Sequence, residues 1–180
     1  MFALHGFEGA STRDIARRAD VNQGLITYYF GSKEALWKAC VDQVFARLFD
    51  RYVAAPPTGT QREQLRAAIR TFVQFAAENP EVHRFMIHEA GANTPRLRWM
   101  LKRYVAPLFS LTRELLERAR AERGPSIAIS PEQLFTLLVG AAPQPFATAA
   151  AARQLFGVDP RDAAFVDTWS AFVERLVLPG

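Results

Sequence analysis

Cysteine is nearly absent, Cys40 being the only one in 180 residues. One thiol cannot close an intramolecular disulfide, and it excludes a zinc site built on several thiolates. Cys40 falls inside an apolar helical pattern, where a thiol is expected to be buried and inert. A basic stretch followed by a long apolar core is missing from Met1-Phe-Ala-Leu-His-Gly-Phe7, so no secretory leader is read there. The longest uncharged run, residues 133–152, is nearly long enough to span a bilayer. Gln133, Gln144, Pro143 and Pro145 interrupt it, and its second half is mostly alanine. A buried helix that breaks at Pro143 fits it better, and the chain is read as cytoplasmic with no membrane partner. Alternation long enough for a strand is also lacking, Ser126-Ile-Ala-Ile-Ser130 being the one candidate.

Catalytic and metal-binding patterns are equally scarce. His88-Glu-Ala-Gly-Ala92 begins like a zinc protease helix, but Ala92 stands where the second histidine ligand is needed. Gly24 and Gly31-Ser-Lys33 have the wrong spacing and residue order for a phosphate loop. No Gly-x-Ser-x-Gly element occurs, and three scattered histidines do not define a triad. No enzyme activity, metal or cofactor is therefore expected. Basic charge is not where a nucleic-acid reader would need it either. Residues 1–33 hold four basic and three acidic side chains, a net of +1, whereas residues 60–123 hold twelve and seven, a net of +5.

What the sequence has is helical periodicity throughout, and the fold class read from it is all-α. Thr12 is placed as the cap of a helix reaching Ala19, with Asp14 in its first turn and Ile15 and Ala19 facing inward. Asp20-Val21-Asn22 forms a turn, Val21 plugs the junction and Asn22 caps a second helix over residues 23–30, with Ile26 and Phe30 inward. Gly31 stops that helix and Ser32 caps a long one carrying Leu36, Trp37, Val41, Val44, Phe45 and Leu48 on one stripe. Pro56-Pro57-Thr58-Gly59 ends it. Helices follow over residues 61–79, from Asn79-Pro80 to about Gly91, over 95–123 with a kink at Pro107, from Pro131 to about 152, and over 160–178.

Two short helices joined by a tight turn can set the second in the major groove of DNA while the first spans the backbone. The second helix here has the side chains for that work. Gln23 pairs bidentately with adenine, Leu25 and Thr27 touch a thymine methyl, and Gly24 permits close approach. Tyr28 and Tyr29 offer hydroxyls to phosphate, with Lys33 beside them. Arg13 is a base or phosphate contact, and the helix starts at Thr12 and Ser32 present N–H groups to phosphate oxygens.

The run from His5-Gly-Phe-Glu-Gly-Ala-Ser-Thr12 through Ile15-Ala16 and Ala19-Asp-Val21 to Gly24-Leu-Ile-Thr-Tyr-Tyr-Phe-Gly-Ser-Lys-Glu-Ala-Leu36 resembles the DNA-binding domain of TetR-family transcriptional regulators. The segment from Asn79-Pro-Glu81 through Arg84-Phe-Met-Ile-His-Glu-Ala90 to Pro95-Arg-Leu97 and Trp99 is similar, more loosely, to effector domains of that family. The resemblance implies an N-terminal helix-turn-helix domain, residues 1–36, and a helical effector-binding and dimerisation domain, residues 37–180. Thr27 departs from the family's usual tyrosine. Family members carry a full helix before the Gly-Phe-x-Gly segment, whereas only Met1 to His5 stand there, so most of the first helix is expected to be missing.

Phe72, Phe75, Phe85, Met86, His88, Trp99, Met100 and Tyr104 are the residues expected to line a pocket for a small, largely apolar effector. Phe165, Trp169, Phe172, Val173 and Leu176 make an apolar stripe on the last helix, widened by Val166 and Val177. A helix apolar on two sides needs a second partner, and the resemblance makes it a homodimer interface. The expected function is a ligand-responsive, sequence-specific regulator, a homodimeric repressor on a palindromic double-stranded operator. The alternative is an effector-independent DNA-binding structural or scaffold protein on the same fold.

Overall fold

A computed structural model describes residues 1–54, 58–122 and 126–179. Among the described residues there are helices and no strands, and Ser126–Ser130 runs as irregular chain. α1 (Phe2–Gly9) is broken at Gly6, whose φ of 65° and ψ of −176° suit only glycine. α2 (Thr12–Arg18) and α3 (Gln23–Phe30) form the two-helix motif, and α4 (Lys33–Ala54) leads away from it. α5 (Gln61–Glu78) and α6 (Pro80–Ala90) follow; Pro56 and Pro57, read as the breaker after α4, lie outside the described residues.

Local chemistry accounts for most of the boundaries. Thr60 and Glu63 cap α5 reciprocally, and Ser130 with Gln133 does the same for α9 (Pro131–Thr136), with Pro131 in the first turn as expected. Asn22 accepts the Gly24 N–H at 2.7 Å, and Ser32 accepts that of Ala35 at 3.1 Å. The cap of α2 is Ser11, which accepts the Asp14 N–H at 3.0 Å; Thr12 is already inside the helix. Both are hydroxyl residues, and the extended backbone at Ser11 decides between them.

The kink expected at Pro107 is instead a π turn. α7 (Pro95–Met100) runs through Leu101–Val105 in π geometry into α8 (Ala106–Ala121). One extra residue in the turn moves backbone carbonyls away from the proline ring, so the helix continues without the usual clash. The same device precedes Pro143. Leu137–Ala141 is a second π turn after α9 and leads into α10 (Gln144–Ala147); α11 (Ala149–Phe156) then bends away by 67° from the run Pro131–Ala147. No single helix is long and apolar enough to cross a membrane among the described residues. α12 (Ala163–Val177) starts three residues later than its sequence suggests, with Asp162 at its cap.

Two apolar cores result. One packs α5, α8, α9 and α12 around Leu65, Ile69, Leu116, Leu134, Phe146 and Val177. The other starts at Phe2, Ala10, Ala16 and Ile26 in the motif, passes through Trp37 and Phe45 of α4, and reaches Phe75, Met100 and Leu108. Three positions expected to face inward in the motif are exposed: Ala19, Val21 and Phe30. With so short a helix pair, Ala16 and Ile26 suffice to seal the contact with α4.

Candidate nucleic-acid interface and effector cavity

α3 stands on the surface with its reader face uncovered. Tyr28 and Tyr29 are 80% and 73% exposed and meet edge to face at 5.1 Å; Leu25 and Thr27 are exposed beside them. Neighbouring exposed aromatic and apolar side chains of this kind form a patch typical of an interaction surface. Gly24 has a reason to lack a side chain beyond groove approach: a Cβ there would crowd the Asn22 carboxamide oxygen to 3.1 Å, against the cap itself. Gln23 extends across to α2, where its amide donates to the Thr12 hydroxyl at 3.3 Å. That exposed bond is worth about 1 kcal/mol at most, so a base edge can displace it. Arg13 is exposed near Gln23, on the rim of a polar hollow between α2 and α3 that Arg17 and Asn22 also line.

Lys33 is engaged at the root of α4. Its ammonium donates to the Glu8 carbonyl at 3.4 Å and lies 4.6 Å above the Phe7 ring. Arg96 reaches the same ring from α7, with its guanidinium 3.6 Å from the centroid. It also pairs with Glu8 at 3.4 Å and with the buried Glu89 at 3.6 Å. His88, on the last turn of α6, sits over Gly6 at van der Waals distance, and it is the φ of 65° that favours glycine there. Together these contacts seat the reader motif on the body, and Trp37 completes the seat. It is wholly buried, stacked on Phe85 at 5.2 Å and tilted against Trp99 at 5.9 Å.

The body holds a part-open apolar cavity of about 70 Å³ between α4, α5, α6, α8 and α9. Phe72, Phe75 and Met86 line it; Phe85 and Met86 line a separate groove of about 160 Å³ beside α1 and α4, where Cys40 also lies. Cys40 is half-buried, and burial pushes its thiol up. Trp99, Met100 and Tyr104 border neither space. They pack in the core behind the cavity wall, where Tyr104 stacks on Phe45 at 4.5 Å and donates its hydroxyl to Asp42. His88 is at the seat described above. The cavity walls that sequence reading missed come from several helices, among them Phe45 and Leu48 of α4, Val82 of α6, Leu108 of α8, Phe135 of α9 and, just beyond the second π turn, Pro143. Asn79 and His83 are its polar members.

On α12, Phe172 and Leu176 face solvent at 43% and 53% exposure, and Phe165 and Trp169 are half-buried. Trp169 donates its indole N–H to the Ala142 carbonyl at 2.9 Å and stacks on Phe172. Val173 is a correction: at 1% exposure it points into the protomer's own core against α5, next to Glu174, which takes Arg70. Leu155 and Phe156 at the end of α11 are also exposed.

Residues 1–40 match the family described as bacterial regulatory proteins, tetR family, and residues 62–177 match its tetracyclin repressor-like C-terminal domain. The chain belongs to the TetR family. The part matched to the family's N-terminal model holds the helix-turn-helix, α2 and α3. Among similar regulators, RutR of Escherichia coli (strain K12) is 27% identical over 186 residues, covering 99% of this chain and 84% of RutR. The probable HTH-type regulator YttP of Bacillus subtilis (strain 168) is 24% identical over 126 residues, 68% of this chain and 61% of YttP. The alignment thus spans about three fifths of that relative. The TetR fold is shared with a TetR-like regulator from Rhodococcus sp. RHA1, at TM-score 0.68 and 24% identity over 98% of this chain and 86% of that one. It is shared too with FadR from Bacillus subtilis, solved in complex with stearoyl-CoA, at TM-score 0.63 and 17% identity over 98% and 92%.

Proposed function

We propose that this TetR-family chain is a cytoplasmic, homodimeric repressor that releases a palindromic operator when a small, largely apolar effector occupies the body. The observation that carries the reading is the course of α4. Its first turn holds the reader motif through Lys33 and Trp37, and its middle, at Phe45 and Leu48, is a wall of the cavity. An occupant that prefers one position of α4 therefore also selects one position of α3, which is what a population shift requires. Gln23, Gly24, Leu25 and Thr27 read bases, while Thr12, Arg13, Tyr28, Tyr29 and Lys33 hold phosphates.

Dimerisation supports the same reading. Phe172 and Leu176, with Leu155 and Phe156 nearby in sequence on the preceding helix, leave apolar side chains in water that a second copy would cover. Two copies present two α3 helices, matched to half-sites one turn of DNA apart or a multiple of it.

The test is operator selection from a random DNA pool, followed by titration of Gln23→Ala and Tyr28→Ala. Gln23→Ala is expected to weaken binding roughly ten- to hundred-fold and relax preference at one base pair per half-site. Tyr28→Ala should weaken all sequences alike. Two variants that keep wild-type affinity and preference would remove α3 as the reader. Sedimentation of Leu176→Glu, expected to be monomeric where the wild type is dimeric, tests the second half of the proposal.

A further inference from the structure

The cavity's wall chemistry is narrower than its apolar character suggests. Among the described residues no carboxylate, ammonium or guanidinium lines it. The cation nearest in sequence to its polar corner, Arg84, is committed elsewhere: both hydrogen bonds of its guanidinium go to the Ala147 carbonyl, at 3.0 and 2.7 Å. A carboxylate or phosphate drawn into this space would lose its water and find no countercharge, so charged ligands are selected against. Size excludes more. About 70 Å³ is roughly half of the ~150 Å³ at which an apolar cavity takes a benzene ring, and Met86, a flexible wall residue, is the side chain that can yield the rest. One ring fits only once Met86 moves aside, and bulkier groups need further wall side chains to yield.

One corner is polar. The Asn79 carboxamide donates one N–H to the Phe75 carbonyl at 2.9 Å. His83 is buried, and one ring nitrogen, Nε2, pairs with Gln144 Oε1 at 3.3 Å. Its other nitrogen has no hydrogen-bond partner among the described residues. A hydroxyl both donates and accepts, so it satisfies that nitrogen in either tautomer. Phe72, Phe75 and Phe135 supply the aromatic surface for a ring.

The geometry points to a neutral, single-ring aromatic alcohol of the phenol type as the effector class, with its hydroxyl on His83 and its ring among the phenylalanines. This rests on the cavity being the effector site, and it departs from the charged, long-chain stearoyl-CoA bound by the FadR neighbour.

The test is calorimetric titration of the full-length protein with phenol, toluene and benzoate, alongside operator release measured by fluorescence anisotropy. Phenol is expected to bind at least ten-fold more tightly than either toluene or benzoate. His83→Leu should abolish the phenol-over-toluene preference while toluene still binds. Phe135→Trp, which fills the cavity from the α9 side, should block both and serves if the His83 variant does not fold. Benzoate binding as tightly as phenol, a phenol preference that survives His83→Leu, or no binding of phenol or toluene at millimolar concentration would each overturn the assignment. Phenol binding that leaves operator affinity unchanged would instead uphold the ligand class and sink the effector-release function.

Discussion

The reader motif and the body handle apolar surface in opposite ways. Residues 1–33 bury only four apolar side chains fully, Phe2, Ala10, Ala16 and Ile26, and leave Leu25, Tyr28, Tyr29 and Phe30 in water. The body closes a core of its own around Leu65, Ile69, Leu116, Leu134 and Phe146, each almost wholly buried. So small a motif cannot be stable on four such residues. It borrows stability through Trp37, Phe7 and Arg96, which belong to a core shared with α4, α6 and α7. A head that depends on the body for its seat is a head the body can move.

Substitutions at that shared seat test the dependence most severely. Trp37→Ala is expected to cost about 3–5 kcal/mol, and head and body should lose structure together in urea. A body that unfolds at its wild-type midpoint after this change would show the two regions to be independent. Arg96→Met removes the cation from the Phe7 ring and leaves Glu89 buried with only the Thr94 hydroxyl, at 3.3 Å. The expected cost is about 1–3 kcal/mol, with faster amide exchange confined to α1 and α2. Exchange that rises equally across α5 and α8 would place the contact outside the head's support. Asn22→Ala strips the α3 cap and should cost about 1 kcal/mol, read by thermal unfolding. Tyr28→Ala is the smallest in stability, within about 0.5 kcal/mol, because its ring touches chiefly Tyr29. Any larger loss there would mean the exposed face packs against the fold after all.

The pattern of what was legible in the sequence follows the range of each interaction. Asn22, Gly31, Ser32 and Ser130 act on backbone within a few residues, and local sequence locates them. The cap of α2 was misplaced by one residue because Ser11 and Thr12 are chemically alike there. Pro107 and Pro143 were correctly seen as disturbances, but a π turn absorbs each of them, and nothing local distinguishes absorption from a kink. On α12, periodicity gives a stripe from Phe165 to Val177 without saying what each side meets; α5 takes Val173 and Val177, leaving Phe172 and Leu176 uncovered. Phe72, Phe75 and Met86 share a cavity, whereas Trp99, Met100 and Tyr104 fill a neighbouring core, and every one of them is an apolar or aromatic residue on a helix.

By itself, the sequence determined the helical class, the two-helix reader with its Asn22 cap, and the Gly31-Ser32 junction into α4, because these rest on backbone geometry and short-range hydrogen bonds. Only the tertiary structure decided which aromatics enclose empty space, which face of α12 stays open, and that Phe7, Arg96 and Trp37 lock reader to body. Those outcomes depend on helices more than twenty residues apart in the chain meeting in space, and helical periodicity records that a face is apolar without recording its partner.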